Sequence, residues 1–255
     1  MNSGTAGTQI RSVSRATRIL ALLARHGDGC TATEAAALLE IPVPTVHHLL
    51  STLVAEGFVA KDSGRRYHLG PQVGVLADAL RYQLTAPEYL LAPLRRLSQS
   101  TGETVYLSAW RHGEIVVLAC IEGDAPVRVR GPHVGMSGFA HARASGKLLL
   151  AFANSVERET YLYAHSLEQL TARTVVDANE LDAELQLIAR RGYAVDEEEF
   201  REDVACVSAP IVEGGAVIAA YTISSPASRF RQRRADLVEA VQSAARSAAL
   251  QQVVS

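Results

Sequence analysis

The side chains best equipped for chemistry fall into two sets that lie far apart in the chain. One is compact: Thr45, His47, His48 and Ser51, followed by Arg65 and Arg66. Hydroxyls and imidazoles donate and accept hydrogen bonds, and guanidinium forks match phosphate oxygens, so this set suits contact with a nucleic acid. The other is scattered: His141, Ser145, Lys147, Asp196 and Cys206. A thiol nucleophile with its base (Cys206 with His141) or an amidase-like pair (Ser145 with Lys147) would be available if folding made these residues neighbours. The sequence has no nucleophile elbow, phosphate loop, HExxH or dinucleotide fingerprint.

The elements around the first set can be read locally. Thr31-x-x-Glu34 is a capping box, and it opens a helix carrying Ala35, Ala36, Leu38 and Leu39. That helix cannot pass Ile41, because Pro42 disfavours helical geometry in the residue before it. Pro44 then suits the first turn of a second helix, where no amide hydrogen is needed. In the second helix Val46, Leu49, Leu50, Leu53 and Val54 form the apolar stripe, which leaves Thr45, His47, His48, Ser51 and Thr52 largely on the other face. Two short strands, 58–61 and 67–69, follow across Asp62-Ser63-Gly64-Arg65, a turn with Gly64 where positive φ is easiest, and Arg65 and Arg66 lie near its tip. Two short helices, a tight turn and a hairpin make a winged helix-turn-helix.

A chain of 255 residues, 48% hydrophobic, is long enough for two modest cores. No apolar run reaches the eighteen or so residues of a membrane span, and the first ten residues lack the apolar core of a signal peptide, so a cytoplasmic protein without a membrane partner is expected. Cys30, Cys120 and Cys206 are odd in number and far apart, which argues against a disulfide framework and a thiolate metal site; no metal and no cofactor are expected. The net charge of −2 is unevenly spread: residues 1–72 hold 7 Lys/Arg against 5 Asp/Glu, and the remainder holds 18 against 22. So mild an excess leaves phosphate contact to a few placed groups, with Arg11, Arg15, Arg65 and Arg66 as candidates, and favours two copies reading two half-sites.

Residues 1–10 read as a tail, 13–26 as the first helix, and 71–84 as a linker helix through Val73, Leu76, Ala77 and Leu80. Beyond residue 86 the pattern becomes mixed. Helices are expected over 89–100, 145–152, 156–163 and 179–190 and at the carboxyl end, and strands over 104–110, 114–121, 193–196, 205–212 and 216–224, with 127–130 as a further candidate. The result is an α+β chain with an antiparallel sheet and helices packed on it. The domain boundaries read as 1–70, 71–85 and 86–255.

Several motifs carry a resemblance: Ser14-Arg15-Ala16-x-x-Ile19-Leu20, Thr33-Glu34-x-Ala36, Pro42-x-x-Thr45-Val46-His47-x-Leu49-Leu50, Glu56-Gly57-Phe58-Val59 and Tyr67-x-Leu69-Gly70. With them the amino-terminal domain resembles that of the isocitrate lyase regulator (IclR) family of bacterial transcription factors. The chain departs from the family's usual pattern at Pro44, where a small hydroxyl residue is usual, and at His48, where Arg is usual. His141-x-x-Ala144-Ser145-Gly146-Lys147, Arg191-Gly192-Tyr193-Ala194-Val195-Asp196-x-Glu198-Glu199 and Cys206-Val207-x-Ala209-Pro210-Ile211 extend the likeness to the family's GAF-like effector-binding domain. The resemblance implies a homodimer or a tetramer (a dimer of dimers), double-stranded operator DNA as partner and a small organic acid as effector. By position in the motifs, the effector set would be Ala144, Ser145, Asp196, Val204, Cys206, Thr222 and Ser224.

The residue types suit that role. A helix starting at Ala144-Ser145-Gly146 would turn unpaired amide hydrogens toward an anion, and Thr222 and Ser224, two apart on one strand, would face the same side. Met136 and Phe139 either close over such a site or pack their own loop. Two other readings stay open on the sequence alone: a redox- or metal-sensing regulator acting through Cys206, and a thiol enzyme.

Overall fold

The structure is a computed structural model and describes residues 10–251; the tail expected over 1–10 lies, except for Ile10, outside the described residues. The chain divides into two compact units, Met1–Gln83 and Leu84–Ser255.

The first unit runs α1 (Arg11–Arg25), α2 (Ala32–Leu39), α3 (Val43–Ala55), β1 (Val59–Lys61), β2 (Tyr67–Leu69) and α4 (Pro71–Gln83). The capping box forms as read: Thr31 Oγ1 accepts from the Glu34 amide at 3.2 Å, and the Thr31 amide donates to Glu34 Oε2 at 2.8 Å. Glu40 ends α2 in the left-handed conformation, and Pro42 caps α3 with Pro44 in its first turn. Ile19, Leu23, Ala35, Ile41, Val46, Leu50, Leu53 and Val59 close one small core. Val54 does not join it; this position turns outward and is 39% exposed. β1 and β2 pair antiparallel, and Cys30 adds a bridge to Tyr67 beside them. In the turn, the positive φ falls on Arg65 rather than Gly64, because Asp62 organises it through its side chain, accepting the Arg66 amide at 2.8 Å.

The second unit runs α5 (Glu88–Thr101), β3 (Thr104–Arg111), β4 (Glu114–Ile121), α6 (Ala144–Phe152), α7 (Ser155–Ala164), α8 (Ala178–Arg191), β5 (Ala194–Glu197), β6 (Val204–Glu213), β7 (Ala216–Pro226) and α9 (Ala227–Gln251). All strand pairs are antiparallel, in the order β4-β3-β7-β6-β5. Strand alternation gives the sheet two faces with different tasks. Val105, Leu107, Val207, Tyr221 and Ile223 pack against α5 and α9 through Leu94, Phe230 and Leu237. On the other side Ile115 and Ala220 meet α6, α7 and α8 through Leu148, Tyr161, Leu181 and Ile188.

No strand forms over 127–130. The carbonyls there are held by side chains instead of a ladder: Thr104 Oγ1 donates to Val129 O at 2.7 Å, and Arg229 donates to Val127 O at 2.8 Å. The segment between β4 and α6 therefore runs over the sheet as a wall. At Gly131 an added Cβ would lie 2.3 Å from Cys120 Sγ, so only glycine permits that approach.

Candidate functional site

In the second unit, two cross-strand rows of polar side chains lie on the sheet face away from α5 and α9. Asp196 pairs with Cys206, Cys206 with Ser224, and Ser224 with Thr104; beside them Ser208 pairs with Thr222 and Thr222 with Tyr106. Residues paired across an antiparallel ladder share a face, so the rows form a floor. Over this floor is a cavity of about 240 Å³, lined by Tyr106, Asp196, Cys206 and Ser224 from the strands. Its walls are Val129 to His133 and Met136 from the crossing segment, Arg143 at the start of α6, and Phe200, Arg201 and Val204 from the connection into β6.

Burial governs the titration of the floor. Asp196 is pushed up to about 7, first by burial and then by the nearby Glu199 charge, although its Oδ1 accepts from the Glu199 and Phe200 amides at 2.8 and 3.3 Å. Cys206 is pushed up to about 12 by burial and Asp196, and its thiol donates to Ser224 Oγ at 3.3 Å. Burial likewise raises the Tyr106 phenol. At neutral pH the thiol and the phenol therefore keep their protons.

Arg143 is the outlier. It is 2% exposed, and one Nη donates to Ile115 O at 3.0 Å, but Nε and the other Nη are buried with no partner. Burial lowers its affinity for the proton, yet a guanidinium stays charged. The neighbouring cation, Lys147, is fully buried and matched, with Glu184 Oε1 at 2.7 Å and Glu199 at 2.6 Å. α6 sits this deep because Gly146 has no Cβ; one would come within 2.3 Å of Ala140 O.

In the first unit, His47, His48 and Ser51 of α3 share a shallow groove with Val54, Lys61 and Tyr67. The polar face of α3 and the β1–β2 hairpin thus open on one surface. Arg65 is exposed, whereas Arg66 is turned back, donating to Asp28 O at 3.0 Å, Gly29 O at 2.8 Å and Glu34 Oε2 at 3.2 Å.

Two family models cover most of the chain: "IclR helix-turn-helix domain" over residues 12–63 and "Bacterial transcriptional regulator IclR C-terminal" over 88–250. The chain belongs to the IclR family. It is 34% identical over 227 residues to the HTH-type transcriptional regulator BhcR of Paracoccus denitrificans, covering 88% of this chain and 81% of that one. It is 30% identical over 226 residues to the HTH-type transcriptional repressor AllR of Escherichia coli K12, covering 88% and 83%. Among solved structures, the IclR transcriptional regulator of Alicyclobacillus acidocaldarius matches with a TM-score of 0.69 at 27% identity over 95% of this chain and 98% of that one. An IclR homologue of Microbacterium hydrocarbonoxydans complexed with 4-hydroxybenzoate shares the fold, with a TM-score of 0.69 at 24% identity over 96% and 100%. This IclR-family chain is accordingly a DNA-binding transcriptional regulator, an α+β protein with an amino-terminal helix-turn-helix domain.

Four of the seven effector positions expected for this IclR-family chain, Asp196, Val204, Cys206 and Ser224, line the cavity. Thr222 lies on the same face but is fully buried, and its hydroxyl donates to Ser208 Oγ at 3.0 Å. Ala144 and Ser145 are buried behind the wall, Ser145 Oγ without a partner, and Arg143 takes the place at the cavity expected of them. Met136 lines the cavity, whereas Phe139 packs near Phe200 with ring centroids 6.2 Å apart. Arg143 escaped the sequence reading because its importance lies in burial without a counter-ion, which no motif spells. In the first unit, Lys61, which no motif singles out, joins the surface of His47, His48 and Ser51, and Arg66 is a strut within the unit rather than a free tip arginine. Thr45 is half-buried; Arg11 is exposed and Arg15 half-buried on α1.

The enzyme pairs do not form as read. His141 contacts Glu168 O at 2.9 Å and is held toward the neutral form by burial, outside the cavity that Cys206 lines. Lys147 is engaged by carboxylates, away from any role as a base for Ser145. Among the described residues no group of three or more His, Cys, Asp or Glu is arranged to hold a metal ion.

Proposed function

We propose that the chain acts as a homodimer, or as a tetramer built from two dimers, that binds double-stranded operator DNA and is controlled by a small organic acid in the cavity of the second unit. The cavity carries this reading, because a buried cation with unmatched donors lines it together with a floor of hydrogen-bonding groups whose ionisation burial opposes. An arginine taken out of water costs several kcal/mol unless an anion meets it, and a carboxylate is the small organic group that does so. The cavity's size, below the roughly 300–1,000 Å³ of sites for drug-sized ligands, suits a small acid.

α3 enters the major groove with Thr45, His47, His48 and Ser51, Lys61 joins them from the hairpin, and Arg11, Arg15 and Arg65 contact phosphate. The copies meet through α4, on which no residue is buried while Val75, Leu76 and Leu80 are 60, 59 and 45% exposed. The chain catalyses nothing and works in the cytoplasm, where its operator is; its protonated, buried thiol supports neither a nucleophile nor a redox sensor. The acid changes operator affinity by as much as its affinity differs between the two arrangements of the DNA-binding heads. A thermal-shift screen of small carboxylates on the full chain, then operator binding with each hit, tests the reading. An acid that binds tightly yet leaves operator affinity unchanged would refute the coupling.

A further inference from the structure

The charged groups around the cavity are distributed unevenly along its depth. At the buried end stands Arg143, whose guanidinium has two donors without partners. At the exposed end stand Arg130 and Arg201, which line the same cavity and make no ion pair or side-chain hydrogen bond among the described residues. His133 lines the cavity from an exposed position as well. Among the described residues the only carboxylate in the lining is Asp196, whose ionisation burial opposes. The apolar part of the lining is formed by Val129, Pro132, Met136, Phe200 and Val204.

Internal compensation does not account for Arg143. Tyr106 of β3, Tyr161 of α7 and Glu114 of β4 act on it electrostatically, but no ion pair or hydrogen bond joins any of them to it among the described residues; Glu114 Oε1 is engaged by His165 at 2.9 Å, and Glu114 Oε2 and the Tyr161 hydroxyl are themselves without a partner. Two other buried charged residues of the unit, Lys147 and Glu103, are matched directly, Lys147 by Glu184 and Glu199 and Glu103 by Arg229, while buried Asp196 accepts only backbone amides. Buried charges are paired as a rule, so the exception marks where a partner from outside belongs.

We propose that the effector is a small dicarboxylic acid, one carboxylate held by Arg143 at the buried end and the other by Arg130 and Arg201 at the mouth, with a hydrocarbon spacer along the apolar walls. The proposal rests on the reading of this cavity as the effector site and adds to it the second anionic group and the residues that select it. A monocarboxylic acid of the same length would satisfy Arg143 but leave the mouth arginines to water. Discrimination between acids therefore resides at the mouth, and anchoring resides in Arg143.

The test is calorimetric titration of the full chain with matched pairs of probes: pentanoate and glutarate, hexanoate and adipate, benzoate and terephthalate. In at least one pair the diacid is expected to bind about tenfold or more tightly than the monoacid, the worth of one charge-assisted hydrogen-bonded pair. The double variant Arg130→Gln/Arg201→Gln changes exposed residues only, and should lower diacid affinity to that of the monoacid while leaving the monoacid unchanged. Arg143→Gln should lower the affinity of both by at least about tenfold; thermal unfolding alongside checks that this variant folds, and the double variant decides the matter if it does not. Equal binding of monoacid and diacid in every pair, or a double variant that keeps the preference, overturns the proposal and leaves the cavity as a site for monoacids. Failure of every probe of both kinds overturns the effector-site reading itself.

Discussion

At the scale of single residues, Asp196 makes a claim that pH can test. Its value of about 7 in the folded chain lies above the 3.8 of an ordinary aspartate, so the folded state holds a proton that the unfolded state releases. The stability it contributes is full below about pH 4, falls as pH rises toward 7, and stays low above that. The Glu199 and Lys147 charges act on it in opposite directions, and its own charge acts on the Cys206 thiol and the Tyr106 phenol. Asp196→Asn keeps an oxygen for the Glu199 and Phe200 amides and removes the charge. The variant should unfold at a higher temperature than the parent at pH 8 and differ little at pH 4, measured by thermal melts across that range. A parent melting point that rises between pH 5 and 8 by as much as the variant's would show that Asp196 ionises freely. Asp196, Cys206 and Ser224 were named beforehand by their places in the family motifs, and strand alternation, with its period of two, added only that Thr222 and Ser224 share a face. Arg143 was not, since its meaning depends on what fails to surround it.

At the scale of elements, the first unit was readable almost residue by residue, because capping boxes and prolines act locally. Thr31→Ala removes the hydroxyl that accepts the Glu34 amide and should cost about 1 kcal/mol in urea unfolding, with the fold retained. The two hairpin arginines should separate cleanly. Arg65→Ala is expected to leave the melting temperature unchanged and to reduce the salt dependence of operator binding by about one unit of slope. Arg66→Ala should lower the melting temperature, because three hydrogen bonds to Asp28, Gly29 and Glu34 are lost with it. If the two variants behave alike in melts, the strut is not stabilising the hairpin. The reading faltered where side chains rather than local propensity decide the backbone, as over 127–130, where Thr104 and Arg229 take carbonyls that a strand would have offered to a neighbour. Val54 was misplaced for a related reason: helical spacing predicts a stripe, but only packing fixes its width.

At the scale of the molecule, the proposed dimer predicts that Leu76→Asp with Leu80→Asp, on the exposed apolar face of α4, lowers the assembly state in sedimentation while both units remain folded by circular dichroism. Operator affinity should fall at least about tenfold, since one head alone has few phosphate contacts. The variant pair sedimenting as the parent does would place the interface elsewhere. A last consequence follows from the interleaving of floor and core in β7, where Tyr221 and Ile223 face α5 and α9 while Thr222 and Ser224 face the other way. Deleting or inserting one residue inside that strand would carry the tyrosine into the floor and the hydroxyls into the hydrocarbon. A lineage carrying this fold can therefore retune its ligand by exchanging side chains at those positions, but it is barred from doing so by changing the strand's length.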